Sequence, residues 1–409
     1  MTVPSISFIL DISRLLSRAG SAVPTGIDRV ELAYAEYLLT HHQDQTYFVA
    51  LSLTGRLGRL PRSTVTTFIS NLLNGWNLGH KEKIAEAKNI AKKLKIYLFF
   101  PNSLPDINGI KFYFLVSHHH LMHKKIIRNF LSKTGSYFIP MVHDLIPIEY
   151  PEYSRPREKI RHKARMDSVI ELARAVIVPT DSVRESLKPF FSQANRHGIP
   201  IWKTPHGVHK QAIYHTNQEC KNYKYKKPYF VYISTIEPRK NHLLLLHLWR
   251  YLVQQRGEEA VPYLILIGKR GWENENILDL LERSPALQNL VIEESGLSDE
   301  CVASLLRYSN GLLFPSFTEG YGLPLTEAMS LGVPSICSNI PALREIGQNI
   351  PSYVSPLDAT EWEKIIDDFS QYGPLWQAQK ERLKKWSPFS WSQSVALTLS
   401  HCLTLTQND

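Results

Sequence analysis

The sequence predicts an α/β protein of two doubly wound, Rossmann-like domains facing a cleft. Three observations carry this. From residue 228 onward, short unbroken apolar runs alternate with amphipathic ones. The first half repeats that grammar with noisier spacing. Between the two lies a polar, irregular stretch over 210–227. Unbroken apolar runs are strands buried on both faces, and strands interleaved with helices make parallel sheets.

In chain order, residues 7–12 read as a first strand. A helix follows over 25–39, with Ile27, Val30, Tyr34 and Leu38 on one face. Residues 47–52, 112–116, 137–142 and 175–179 read as further strands. Ser182 and Glu185 stand at capping-box spacing for the next helix. Residues 55–110 show no clear period and are expected to hold a mobile insertion. In the second half, 228–235, 262–268, 290–293 and 311–315 read as strands. Residues 241–255 and 277–282 read as helices, and Ser298 caps a further one through Tyr308, with Asp299 and Glu300 complementing its dipole. Residues 387–396 open a final helix. The expected division is an N-terminal domain over 1–208, a linker over 209–227, a second domain over 228–385 and a C-terminal helical segment over 386–409.

A chain of 409 residues is long enough for two such domains, and 43% apolar with 21% charged residues is a globular composition. No apolar run approaches the ~20 residues of a membrane-spanning helix. The N-terminus lacks a basic leader and soon meets Asp11, so it reads as a strand and not as a signal peptide. The four cysteines are scattered without a C-x-x-C pair, which argues against zinc or a disulfide framework and fits a reducing cytoplasm. Charge is uneven: residues 1–210 hold 29 Lys and Arg against 16 Asp and Glu, and the remainder 18 against 22. A basic first half attracts anionic partners. Nothing in it resembles a nucleic-acid module, so an anionic membrane surface or a lipid-linked anionic acceptor is the expected partner, and nucleic acid is not.

The most informative segment runs from Ser316 to Ile336, S-F-T-E-G-Y-G-L-P-L-T-E-A-M-S-L-G-V-P-S-I. It reads as strand end, loop, helix, strand. Pro324 suits the first helical position and Gly332 the left-handed position that closes the helix. Glu319 then lies in the loop and Glu327 in the first helical turn. Helix-start N–H groups and the helix dipole attract phosphate, glycines allow close backbone approach, and a carboxylate accepts from paired sugar hydroxyls. Ribose, diphosphate and hexose match that layout.

E-x7-E after a strand, with G-Y-G-L-P between, resembles the donor site of family 4 retaining glycosyltransferases. The resemblance implies the GT-B fold. It also implies that Glu319 contacts the transferred sugar and Glu327 the ribose, with Gly320, Tyr321, Gly322 and Leu323 lining the donor. I-S-T-I-E-P-R-K-N (233–241) is similar to the family's diphosphate-binding turn, which gives Arg239 and Lys240 to the leaving group; a Gly-Arg found at the strand end in a common variant is here Ser234-Thr235. A-V-P-T-G-I-D-R-V-E (22–31) resembles the N-terminal glycine loop, which places Gly26 near the diphosphate and the acceptor. H-D-L-I-P followed by Y-P-E-Y (143–153) resembles a further signature, which gives His143 a role at the sugar and Asp144 a place on the acceptor side. His118 or His119 is expected to face the cleft, with His118 set beside Asp144 on the acceptor side. The run His118-His119-His120 with His123 is not expected to hold a metal, because neighbours on an extended chain face opposite ways and no acidic or cysteine partner shows helix spacing. In the family the terminal helix crosses back onto the first domain.

The function expected from this resemblance is a retaining, metal-independent hexosyltransferase without a cofactor. It would move a sugar from a nucleoside diphosphate donor to a glycan or lipid-linked acceptor in bacterial surface polysaccharide (lipopolysaccharide) synthesis, in the cytoplasm at the inner face of the membrane. Mannose, glucose, galactose and rhamnose are all open. Two other readings stand beside it: a nucleotide-sugar epimerase on the same fold, and a non-catalytic nucleotide-sugar-binding subunit of an assembly complex.

Overall fold

Val231, Leu264, Ile265, Leu312 and Leu313 have no exposed surface, and burial on both faces is what makes their runs a parallel sheet. The computed structural model of the chain describes residues 5–208 and 227–406. Its strands in chain order are β1 (Ile6–Asp11), β2 (Thr46–Leu51), β3 (Leu57–Arg59), β4 (Ile110–Leu115), β5 (Tyr137–Pro140), β6 (Val176–Val178), β7 (Ile201–Lys203), β8 (Tyr229–Ile233), β9 (Tyr263–Ile267), β10 (Val291–Glu294), β11 (Gly311–Phe314), β12 (Ser335–Ser338) and β13 (Ser352–Val354). They form a sheet in the order β3-β2-β1-β4-β5, a pair β6-β7, and a sheet in the order β10-β9-β8-β11-β12-β13. All pairings in the last sheet are parallel. In the first, only β2 and β3 run antiparallel.

Contacts divide the chain into two compact units: Met1–Glu149, Pro156–Gly207 and Phe389–Asp409 in one, Tyr150–Arg155 and Val208–Pro388 in the other. A core around Ile9, Tyr113, Leu115 and Val176 belongs to the first. The larger core of the second is built on Phe230, Trp249, Leu312 and Trp362. In the second sheet the chain passes from β8 through β9 to β10 on one side, then returns with β11 on the other side of β8. The loops after β8 and β11 therefore leave the sheet side by side, at the kind of strand-order reversal where such sheets bind ligands. The first sheet reverses in the same way around β1, between β2 and β4.

Several expectations need correction. Residues 55–110 hold β3 and two packed helices, Arg62–Leu78 and Lys81–Tyr97, which bury Phe68, Leu72 and Trp76 on one and Ala87, Ala91 and Leu94 on the other. The helix Asp181–Gln193 is capped by Thr180, whose Oγ1 accepts from the Val183 N–H at 3.2 Å, not by Ser182. The helix Leu323–Ser330 begins one residue earlier than expected, so Pro324 is its second residue and Glu327 lies beyond its first turn. The segment Tyr150–Arg155 belongs to the second unit although it precedes the end of the first. Cys337 and Cys402 are free and buried, whereas Cys301 is disulfide-bonded, which the scattered spacing did not announce. The expected linker over 209–227 lies outside the described residues except for Lys227. The final helix spans Trp391–Leu405, capped by Ser390 and Gln393. It lies in the first unit, packed on the helix Gly26–His41, with the Tyr34 and Thr398 hydroxyls 2.7 Å apart. No described helix is long and apolar enough to cross a membrane.

Candidate functional site

In the second unit, the turn Pro238–Lys240 follows β8 and the loop around Glu319 follows β11. The backbone ties them together: Phe317 N–H donates to the Arg239 carbonyl at 3.0 Å. Asn241 takes the left-handed conformation at φ 54°. Its side-chain amide donates to the Pro315 and Pro356 carbonyls at 3.2 and 2.8 Å. Tyr232, at the buried heart of β8, donates its hydroxyl to the Lys240 carbonyl. A short turn that would otherwise be surface is thus fixed from three sides.

On this scaffold two cations and two carboxylates meet. Arg239 donates from Nη1 to Glu319 Oε2 at 2.9 Å and to the Thr318 carbonyl at 2.8 Å. Its Nε and Nη2 reach Glu237 Oε1 at 3.1 and 2.9 Å. Lys240 Nζ donates to the other oxygen of Glu319 and lies 5.4 Å above the Phe314 ring. Burial alone would raise the Glu319 carboxyl, but Arg239 and Lys240 outweigh it and hold it down at about 2. The Glu237 carboxyl is raised by its burial, with both cations opposing. Lys240 is lowered by burial and by the adjacent guanidinium. His242 packs its ring 4.7 Å from that of Tyr232, and burial and Lys240 push it down to about 3, so it is neutral.

After Glu319 the chain turns sharply into the helix Leu323–Ser330. Gly322 sits at φ +114°, and a Cβ there would lie 2.6 Å from Leu343 Cδ2, so both conformation and space demand glycine. Gly320 is buried, and so is Tyr321, whose hydroxyl is pushed up by that burial. Leu323 and Glu327 are half-buried on the helix. The early-chain segment 150–155 reaches this neighbourhood: the Tyr153 and Phe317 rings stack at 5.5 Å with planes 1° apart, and Arg155 lies 4.8 Å over Trp272.

The first unit holds the other expected residues. His143 is buried and its Nε2 donates to the Val116 carbonyl at 2.8 Å, if that nitrogen carries the proton. Burial pushes it down to about 4 against that bond and Asp144. The His118, His162 and His206 rings lie 5.1–5.6 Å from it or from one another. His118 and His206 are held well below the usual range, by burial first and His143 next. Asp144 Oδ1 accepts from the Ile146 N–H at 3.1 Å, and its carbonyl accepts from His162 Nε2 at 3.0 Å, so it shapes the turn into the short helix Ile146–Glu149. Among the described residues no three His, Cys, Asp or Glu side chains are arranged to hold a metal ion.

Gly26 is the first residue of its helix and exposed. Its neighbours carry the chemistry. Asp28 is fully buried and takes the Thr25 N–H and hydroxyl at 2.7 and 2.8 Å. It also pairs with Arg14 at 2.6 Å and Arg18 at 3.4 Å. These two arginines bring positive charge to the start of that helix. Nearby, Glu31 has no exposed surface; its Oε1 accepts from the Leu15 N–H at 2.9 Å, and burial pushes its carboxyl up to about 8.

The structure thus brings Arg239, Lys240 and Glu319 into contact, and places Gly26, His118, His143 and Asp144 on the first unit. Glu237, Arg14, Arg18 and Glu31 were not singled out from sequence. The available signals were slight: Glu237 stands two residues before Arg239, Arg14 and Arg18 are one helical turn apart, and Glu31 sits on the apolar face of its helix.

Comparison with known proteins shows what the chain is similar to. Residues 216–386, which include both loops, match the family model "Glycosyl transferases group 1". The serotype-specific mannosyltransferase WbdA of Escherichia coli is 27% identical over 289 residues, 65% of this chain but 34% of WbdA; the match spans about a third of that relative's length. The O-antigen chain mannosyltransferase B of Escherichia coli is 30% identical over 273 residues, covering 63% of this chain and 68% of the relative. Among solved structures, sucrose-phosphate synthase from Thermosynechococcus elongatus superposes with a TM-score of 0.65 at 17% identity, over 99% of this chain and all of the other. Anabaena HepE in complex with UDP gives 0.61 at 13% identity, over 97% of this chain and all of that one. Those structures share the GT-B fold, and the relatives share sequence across both units: the chain belongs to the group 1 glycosyl transferases.

Proposed function

We propose that the protein transfers a hexose, with mannose the first candidate, from a nucleoside diphosphate sugar to a glycan or lipid-linked acceptor in the building of a surface polysaccharide. The observation that carries the reading is the Arg239–Lys240–Glu319 constellation at the strand-order reversal of the second sheet. The mannose preference is supported by the names of the relatives, which are mannosyltransferases of O-antigen chains. A nucleotide-sugar donor sets the reaction in the cytoplasm.

Arg239 and Lys240 both donate to Glu319. A diphosphate arriving beside them competes for the same N–H groups, while the carboxylate turns to the hydroxyls of the sugar. The cations then face the charge that builds on the departing diphosphate, in place of a metal ion; preorganised charge of this kind is a large catalytic contribution. In the retaining course, the bond from the anomeric carbon to the phosphate oxygen breaks and the acceptor oxygen bonds from the same face. The acceptor proton passes to the leaving phosphate oxygen. Glu327 anchors the ribose. His143, held neutral, and His118 and Asp144 serve the acceptor side.

The test is a panel of nucleotide sugars with release of nucleoside diphosphate as the readout. GDP-mannose with a mannan-type acceptor should release GDP, and the new linkage should keep the anomeric configuration. No turnover with any donor overturns the reading. Glu319→Ala should cut turnover by a factor on the order of 100–1,000, and Glu327→Ala should weaken donor binding, read as loss of the thermal shift that the donor gives the native protein. Unchanged donor affinity in Glu327→Ala removes the ribose assignment.

A further inference from the structure

The helix Lys81–Tyr97 runs out into the sequence Leu98-Phe99-Phe100-Pro101. This turn is pinned. Leu98 is buried at 1% exposure. β3 passes so close that a Cβ on Gly58 would lie 2.6 Å from Pro101 Cβ and 2.8 Å from Leu98 Cδ2. Arg59 N–H donates to the Asn102 carbonyl at 2.9 Å, and the Asn102 amide donates to the Tyr97 hydroxyl. With the turn fixed on that side, Ile96, Phe99 and Phe100 are held outward, 66%, 49% and 88% exposed. Leu53, at the tip of the turn between β2 and β3, is 81% exposed. Large apolar side chains set out in water by a rigid turn mark an interaction surface.

The charge around them indicates the partner. Lys92, Lys93 and Lys95 are exposed on the last two turns of the helix. Pro101 and Asn102, directly after the aromatic pair, line a groove of about 550 Å³. Its other lining residues include Arg56, Arg59, Lys111 and Lys133, against the single carboxylate of Asp106. None of the four cations forms an ion pair among the described residues. An apolar tip flanked by unpaired cations matches a surface that is apolar inside and phosphate-rich outside.

We propose that the 96–100 turn and the cationic groove behind it dock the first unit on an anionic lipid bilayer. Ile96, Phe99 and Phe100 enter the boundary of the acyl region, Arg56, Arg59 and Lys133 take lipid phosphate oxygens, and Lys92, Lys93 and Lys95 add long-range attraction. The proposal is independent of the reaction assigned above.

The experiment is flotation of the full chain with phosphatidylcholine vesicles, with and without phosphatidylglycerol, at low and high salt. Binding is expected only with phosphatidylglycerol and should fall as salt rises. The double variant Phe99→Ser, Phe100→Ser should bind at least about tenfold more weakly. Arg59→Ala and Lys133→Ala should each cost about fivefold. Because these side chains are exposed or line an open groove, thermal unfolding should match the parent, and a variant that fails this control is replaced by Lys92→Glu, Lys93→Glu. Equal binding to both vesicles, no binding to either, or a Phe99/Phe100 variant that binds like the parent overturns the proposal. So does salt-insensitive self-association lost in that variant, which would assign the patch to a protein contact.

Discussion

Each unit buries a glutamate near a strand–helix junction, and the two are kept in opposite states. Glu319 in the second unit is surrounded by Arg239 and Lys240 and held ionised at about 2. Glu31 in the first unit accepts from the Leu15 N–H, but burial, aided by the Asp11 charge, outweighs that bond and Arg14 and pushes it up to about 8. Their surroundings follow suit. The second unit's polar cluster is a network of fixed ions. The first unit also keeps a bed of neutral imidazoles in His118, His143 and His206. The same residue type therefore marks two different uses of burial. One site holds its charge in ion pairs, and the other keeps hydrogen-bonding groups without charge beside the Asp28 ion pairs.

The sharpest way to break this contrast is to remove Arg239, which holds both Glu237 and Glu319. Arg239→Met leaves the buried Glu237 carboxylate without its guanidinium and Glu319 with Lys240 alone, and urea unfolding at neutral pH should show a loss of about 3–5 kcal/mol. A loss below ~1 kcal/mol would mean that the ions are not a coupled network. The mirror experiment is Glu31→Gln. A carboxyl raised from 4.5 to about 8 in the native state binds its proton more tightly folded than unfolded, so the parent loses stability as pH rises through that window. The variant should match the parent near pH 4 and exceed it by roughly 3–5 kcal/mol above pH 9. For Glu319 the sign reverses: its contribution is present above 4.5 and lost as pH falls towards 2. Glu319→Gln should therefore flatten the acid limb of the stability profile, by about 3 kcal/mol between pH 5 and 2. A smaller effect is expected for Gly322→Ala, about 1–3 kcal/mol from the left-handed strain and the clash with Leu343. The smallest is Thr180→Ala in the first unit, about 1 kcal/mol for a lost helix cap. Differential scanning calorimetry checks the last two.

The same contrast explains what was legible in the sequence. β8, β9 and β11 are unbroken apolar runs, and Arg239, Lys240 and Glu319 stand in short contiguous motifs, so both scaffold and ions of the second unit could be read. The two helices over 62–97 could not. Arg62–Leu78 carries Thr66, Thr67 and Ser70 among its polar residues and buries Asn71 and Asn77 on its inner face, while Lys81–Tyr97 buries two alanines and one leucine, too little for a visible stripe. Thr180 lost to Ser182 because both are good caps and only backbone geometry separates them. Glu237 was not legible, because its part in the cluster comes through Arg239, which holds it together with Glu319. Arg14, Arg18 and Asp28 are a site only after the fold brings two helices together, which no local pattern encodes.

The segment Tyr150–Arg155 and the final helix each lie in the unit that chain order would not give them. The chain therefore passes between the units four times and not once. The second unit cannot be exchanged with that of a relative by a single splice near residue 208. Such a graft would keep Tyr153 but remove its partner Phe317 and, if it also replaced the end of the chain, would strip Thr398 from Tyr34. Working chimaeras will need four junctions, so the two units are expected to diverge as a pair and to resist shuffling as separate modules.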